Sequence, residues 1–473
     1  MNTAATPRRI VAALVTLWLA GTLRALLLWS HDPLYAYANS YDQTRYTSCF
    51  GFHPDRPPAI PPQTNSPQSP FADYRFLPVA TPACYWSSEL LFTGATAAIW
   101  AIAEHAGRGD VHDVRWVGAL RWLAVLVLSV GLSRAWLRRG DTPAALANAA
   151  LLPLVFADPG NTLYMNTFYA EWSALLAAYA TIALALLWRD EPHSRRRFAW
   201  LALVAFALAL SKIQHLVLPL GFAAVVCLLD RARLGRMGWR AFALGFGAFA
   251  GFWLQVVQLH REGPLIDAID QYNRADVLFT ALLPFADDRH ALLDELGVDP
   301  DCERYAGLHA WELPDLPEHV CRGLDRFGRG AELRTLSLHP RIALRLAGHG
   351  VLALDPWIAK NLGQIEGRDF ATIPALPSVG RLLHAWPWLQ LALLAAPFLA
   401  LFALARRPGW RRGARALDLT ALVAVTMLGT LAVTILGDGL ADTGKQGHLV
   451  VNAALGWLCA AVVFGVVPRK HRG

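Results

Sequence analysis

The six cysteines and fifteen histidines of this 473-residue chain fall in no spacing that resembles a zinc site, which sets aside the commonest structural and catalytic metal centre. No internal repeat is present, which speaks against the repeated halves on which many transporters are built. No low-complexity tract is present, and no dense acidic cluster of the kind that gathers divalent cations. Charge itself is scarce. Charged residues make up 17% of the chain against 55% hydrophobic, and mean hydropathy is +0.33, which excludes a soluble multidomain protein.

What the chain does have is apolar runs of about twenty residues, the length that crosses roughly 30 Å of hydrocarbon. They lie at 10–29, 117–133, 142–157, 170–188, 198–212, 213–229, 240–258, 385–405, 417–436 and 447–467. The shorter ones predict tilting, local thinning or breaks. The first run carries Arg24 and has no small-residue cleavage site, so it reads as a retained span, not a signal peptide. Basic clusters set the orientation. They are Arg8–Arg9; Arg134, Arg138 and Arg139; Arg195–Arg197; Arg231, Arg233, Arg236 and Arg240; Arg406, Arg407, Arg411, Arg412 and Arg415; and Arg469, Lys470 and Arg472. Placing them all on one side gives ten crossings with both termini cytoplasmic. The apolar stretch Leu90 to Ala103 must then lie along the outer leaflet instead of crossing. The net charge of +7 is accounted for by this arrangement, and no nucleic-acid partner is implied.

The expected fold is an all-α polytopic membrane protein of about ten transmembrane helices with two large outer segments. Its predicted parts are an N-terminal membrane module, 1–258, that includes an outer loop at 30–116; a cap at 259–384; and C-terminal spans at 385–473. The outer loop holds Pro57, Pro58, Pro61, Pro62, Pro67 and Pro70 and is expected to be largely extended. Cys49, Cys84, Cys302 and Cys321 fall in the outer segments, where an even count implies disulfides, most simply one per segment. Cys227 and Cys459 sit in spans as packing residues.

Four polar clusters fall at one membrane level: Asp42-Gln43-Thr44-Arg45, Asn166 through Glu171, Ser211-Lys212-Ile213-Gln214-His215, and Asp438, Asp442, Lys445 and His448. A carboxylate that opens a span, as Glu171 does, is costly unless it meets a partner or water. Each residue also has a plainer reading. Asp42 is an ordinary loop aspartate, Glu171 a charge at a helix start, Lys212 a snorkelling side chain, and His215 a packing histidine one turn from Ser211. Lys445 and His448, three apart, share a face. Together they fit transfer of a sugar from a lipid-linked phosphate, with a carboxylate as general base and cations to steady the departing phosphate. In that reading Asp42 is the base and Glu171 the second catalytic carboxylate. Arg45, Lys212, Gln214, His215, Lys445 and His448 meet the donor phosphate, and Asn166, Tyr169 and Asp442 meet substrate. A monophosphate leaving group does not demand a divalent metal.

On these residues the chain resembles the GT-C class of integral-membrane glycosyltransferases. More narrowly it resembles the bacterial glycan-biosynthesis hexosyltransferase family, through Tyr41-Asp42-Gln43-Thr44-Arg45-Tyr46, Asn166-Thr167-Phe168-Tyr169-Ala170-Glu171 and Ser211-Lys212-Ile213-Gln214. Tyr272-Asn273, Leu293 through Gly297, and His339-Pro340 match more weakly. The family pattern has an acidic residue where this chain has Leu440, and Asn where it has Gln364. The resemblance implies a polyprenyl-phosphate sugar as donor and a glycan or glycoprotein acceptor. It also implies the outer face of the bacterial cytoplasmic membrane, outer-leaflet helices near 86–103, and inversion at the sugar. A flippase for a lipid-linked glycan, or a polymerase or ligase that uses diphosphate donors, are the competing functions. Polar residues gathered at one end of the spans argue against the former, and few outer arginines against the latter. Trp311 and Trp357 in the cap are expected to pack inward more than to offer surfaces to a sugar.

Overall fold

The computed structural model describes residues 8–36, 40–55, 71–77, 84–261, 263–356, 364–368, 371, 373, 376–406 and 415–466. Trp357, the six outer-loop prolines, Arg407, Arg411, Arg412, Arg469, Lys470 and Arg472 lie outside them.

Ten helices coincide with the ten apolar runs: Arg8–Trp29, Arg115–Arg138, Thr142–Leu151 with its continuation Leu152–Phe156, Glu171–Leu187, Arg195–Ser211, Val217–Leu234, Trp239–Arg261, Pro387–Ala405, Arg415–Asp438 and His448–Val466. Seven of them are long and apolar enough to cross a membrane. The chain is an all-α polytopic membrane protein. The three shorter helices have visible reasons for their limits. Thr142–Leu151 starts where the Asp141 carboxylate accepts the Ala144 N–H at 3.1 Å, and it widens into a π turn at Leu152–Phe156, which contains Pro153. Arg195–Ser211 is capped by Ser194, whose hydroxyl accepts the Arg197 N–H at 3.2 Å. Glu171–Leu187 opens directly on the polar string before it.

Helices Arg195–Ser211 and Trp239–Arg261 pack closely because Gly247 and Gly251 face them. A Cβ on Gly247 would come within 2.2 Å of the Ala202 carbonyl, and one on Gly251 within 2.5 Å of the Ala209 Cβ. Two glycines four apart let backbones approach where lipid offers no hydrophobic drive for association. One end of the bundle gathers arginines around two buried carboxylates. Asp230 accepts from Arg233 at 2.6 Å and Arg240 at 2.5 Å, while Asp418 meets Arg189 at 3.1 Å and Arg240 at 3.6 Å.

The opposite end carries the segments expected to lie outside. The described part of the first is more ordered than its prolines imply. Strands Phe52–Pro54, Asp73–Phe76 and His112–Asp113 form an antiparallel sheet. Helix Leu90–His105 buries Trp100 against this sheet, stacked on His112 with ring centroids 5.2 Å apart and in contact with Phe52 at 4.6 Å. At sixteen residues the helix is about 24 Å long, short of the roughly 30 Å core. A second ladder pairs Tyr35–Ala36 with Gln364–Ile365, so the departure at Gln364 falls in a buried strand.

The second segment has its own apolar cluster, with Leu278, Phe279, Leu293 and Phe327 among its buried members. Disulfides close Cys49–Cys84 and Cys302–Cys321, one in each segment. The weaker family matches fall on this scaffold. Gly297, at φ 69°, ends helix Arg289–Leu296, and Glu295 meets His339 at 2.9 Å. Trp311 departs from expectation: it is 58% exposed and stacks on His309, because the short turn Ala310–Glu312 inserts Ala310 into the cluster instead.

Candidate functional site

The polar string 164–170 is held by a buried guanidinium. Arg121, on helix Arg115–Arg138, donates to the carbonyls of Tyr164 (2.7 Å), Met165 (2.9 Å), Thr167 (2.7 Å) and Tyr169 (3.0 Å), and pairs with Glu89 at 2.5 Å. Both side chains are fully buried. Glu89 also accepts from Ser173. Burial pushes the Glu89 carboxyl up, against the pull of Arg121. A fork of five donors is suited to tying several carbonyls at once, and it leaves the string ordered on its way into helix Glu171–Leu187. Asn166 completes the anchoring by donating to the Trp29 carbonyl at 2.9 Å, its side chain against Gly118.

Glu171 is the first residue of its helix. Its carboxylate pairs with Lys212 at the end of helix Arg195–Ser211, so the helix-start reading and the ion-pair reading both hold. One oxygen, Oε2, is buried without a hydrogen-bond partner among the described residues, a costly condition for a carboxylate. The backbone carbonyl of Glu171 is 3.1 Å from His448 Nε2, and His448 Nδ1 is 3.0 Å from the Lys445 carbonyl. A neutral imidazole donates to only one of these carbonyls at a time, so the ring lies between the two backbones and holds one of them.

Asp42 arrives from helix Ser40–Thr47. It meets Lys445 at 2.5 Å and Arg45 at 2.9 Å. Lys445 also holds Asp442 at 2.7 Å, and its ammonium lies 5.1 Å from the centre of the Tyr169 ring. Burial would raise the Asp42 pKa, but the charges of Lys445, Arg45 and Lys212 outweigh it and hold the carboxyl well below the usual range. Asp442 goes the other way, since burial raises it despite Lys445.

The structure thus gathers Asp42, Arg45, Tyr169, Glu171, Lys212, Asp442, Lys445 and His448 from four distant stretches. Gln214 is half-buried beside Gly437, its amide nitrogen 3.4 Å from where a Cβ on that glycine would be. His215 is buried with Nδ1 2.8 Å from the Ser211 hydroxyl, the arrangement of the packing reading. Exposure separates the two carboxylates. The Asp42 side chain is 19% exposed and that of Glu171 1%, so Asp42 is the one within reach of a molecule entering from water. Among the described residues, no three His, Cys, Asp or Glu side chains stand close enough to share a metal ion. The cations beside the two carboxylates are Arg45, Lys212 and Lys445.

Three residues that belong to this end were not singled out from sequence. Glu89 opens an apolar run just as Glu171 does, and the same rule would have found it. Arg121 gives no comparable signal, because most of its partners are backbone carbonyls. Asp276 accepts the Ala310 N–H at 2.7 Å, and burial with Asp438 and Asp442 nearby pushes its pKa up to about 8. Nearby, Leu440, in place of an acid, donates its N–H to the Thr280 hydroxyl at 2.8 Å. A further signal lay in composition. The chain has four lysines, Lys212, Lys360, Lys445 and Lys470, and two of them meet here.

No curated protein gives a significant match to the chain. The family model of the YfdI N-terminal transmembrane domain matches residues 64–319, more than half of the length. The matched stretch contains Glu89, Arg121, the 164–171 string and Lys212, while Asp42 and Lys445 lie on either side of it. The chain belongs to the YfdI N-terminal transmembrane domain family.

Proposed function

We propose that the protein is a membrane-bound glycosyltransferase of the GT-C type. It moves a hexose from a polyprenyl-phosphate donor to an envelope or surface glycan, at the outer face of a bacterial cytoplasmic membrane. The observation that carries this reading is the pair of carboxylates at the membrane boundary, Asp42 and Glu171, each ion-paired to a lysine. Arg45, Lys212 and Lys445 gather beside a partly exposed carboxylate, where charge used for packing alone would be costly.

In the resting protein the cations hold Asp42 ionised but weakly basic. A phosphate that binds Lys445 and Arg45 would take up part of their charge. That raises the basicity of Asp42 as the acceptor arrives, which a general base needs. The acceptor hydroxyl then attacks the anomeric carbon and its proton passes to Asp42. The carbon–oxygen bond to phosphate breaks, and polyprenyl phosphate leaves against Lys445, Arg45 and Lys212. The Oε2 of Glu171, buried without a partner among the described residues, would accept from a hydroxyl of the sugar or the acceptor only once the side chains that cover it give way.

The test is transfer of labelled hexose from polyprenyl-phosphate-hexose in membranes, with a crude envelope-glycan extract as acceptor. Wild type should transfer, and Asp42→Asn at matched expression should lose about 10²–10⁴-fold. Undiminished transfer by the variant would move the base elsewhere. No wild-type transfer from a series of such donors would favour a flippase or a diphosphate-donor enzyme.

A further inference from the structure

A large cavity sits between the helices, toward the arginine end, and none of the site's charged side chains lines it. Its volume is about 1330 Å³, above the roughly 300–1,000 Å³ of sites for small soluble ligands. Along helix Glu171–Leu187 and the turn after it, the lining runs from Leu175 to Asp190, about 20 Å at 1.5 Å per residue. That exceeds the half-thickness, about 15 Å, of a bilayer core. Small residues make the space, among them Ala147, Ala178, Ala453, Gly456 and Ala460.

The polar side chains in its wall are turned to partners in the protein. Asn148 bonds Ser129, Ser133 and Tyr179; Asn452 bonds Asn161 and the His448 carbonyl; Thr426 bonds the Leu422 carbonyl. What remains facing the lumen is largely apolar.

The mouth differs. Arg139, Arg189 and Arg415 line it together with Asp141 and Asp190. Arg8 and Arg9, both exposed, immediately precede Ile10, which also lines the cavity. Three guanidiniums thus line it with two carboxylates; Arg189 also meets the buried Asp418, and Glu191 lies behind, held by Arg139 and Arg197. Arg415 pairs with Asp141, lies 3.7 Å from Asp190, and has a side chain 35% exposed. A net positive rim over an apolar lumen between spans is complementary to a phosphate attached to a hydrocarbon chain.

We infer that this cavity binds an anionic phospholipid, its acyl chain in the lumen and its phosphate at the arginine rim. The site is separate from the Asp42–Glu171 cluster, and the inference does not depend on the transferase reading. The lipid would fill a void that otherwise forfeits packing contacts, and a ligand of the folded state raises its stability.

The experiment uses the full chain in detergent, with native mass spectrometry for retained lipid and a thermal melt on adding phosphatidylglycerol or phosphatidylcholine. Wild type should retain phosphatidylglycerol and gain melting temperature from it, with no comparable gain from phosphatidylcholine. Gly456→Phe should abolish both. A Cβ there meets only Leu151, at 3.7 Å, so the larger ring enters the lumen without disturbing any charge. Arg415→Gln should weaken phosphatidylglycerol retention about fivefold, the factor that corresponds to the ~1 kcal/mol of one arginine near an anionic leaflet. Equal responses of wild type to both lipids, no response to either, or undiminished binding in Gly456→Phe would overturn the inference. Competitive displacement of phosphatidylglycerol by polyprenyl phosphate would assign the lumen to a substrate tail and overturn it as well.

Discussion

The two ends of the helix bundle hold buried charge in different ways. At the arginine end, Asp230 and Asp418 are each shared between two guanidiniums, and Arg240 ties the pair together while also donating to the Ala185 carbonyl at 2.7 Å. Arg240, Asp230 and Asp418 are all buried. At the other end the carboxylates meet lysines. Asp42 and Arg45 stay partly exposed, and one oxygen of Glu171 has no hydrogen-bond partner among the described residues. A planar fork that satisfies several acceptors makes a rigid joint. An ammonium is a point charge on a flexible stem, which fixes its partners less rigidly. The first arrangement locks helices together, and the second leaves one carboxylate oxygen without a partner among the described residues. Arg121 shows that the rule concerns the joint and not the position, since it is an arginine joint placed directly beneath the lysine site.

This contrast orders the expected effects of substitution. Arg121→Ala should be the most damaging. It frees four carbonyls and leaves Glu89 buried without its partner, costing about 3–5 kcal/mol, read as a large fall in melting temperature in detergent and in the yield of folded protein. Arg240→Ala should cost somewhat less, about 3 kcal/mol, because Arg233 and Arg189 still hold Asp230 and Asp418. An Arg240→Ala protein that melts like wild type would break the contrast. Glu171→Gln should lower transfer by about 10²-fold through misplacement of substrate with a modest change in melting, since Lys212 can reach water.

The smallest effect concerns pH. The Asp276 carboxyl is raised to about 8 by burial and by Asp438 and Asp442, so the folded state holds its proton where the unfolded chain has lost it. Its contribution is fully present below the ordinary carboxyl range near 4 and is lost as pH rises toward about 8. Asp276→Asn should therefore show a shallower decline in melting temperature over that window than wild type. An identical slope would remove Asp276 from the account.

The spans were legible because the bilayer imposes length and apolarity on each. The three short helices kept their places despite modest length, since Asp141, Ser194 and Glu171 mark their starts in the sequence. Asp42, Glu171, Lys212 and Lys445 were legible because charge at a span boundary is expensive. Which carboxylate takes which lysine was not, since that depends on how helix Ser40–Thr47 folds back over the bundle. Arg121 was opaque for a different reason. Its partners are carbonyls of the 164–170 string, and a sequence records side chains, not where backbone oxygens point. The small outer sheet was hidden by the prolines beside it, and Trp311 by the rule that large aromatics seek the core.

The most direct measurement places transfer and melting side by side for Asp42→Asn and Asp230→Asn, each against wild type. The account predicts that Asp42→Asn melts within about 1 kcal/mol of wild type and loses hexose transfer, while Asp230→Asn loses melting stability. Asp42→Asn that keeps full transfer, or that loses as much stability as Asp230→Asn, would contradict it.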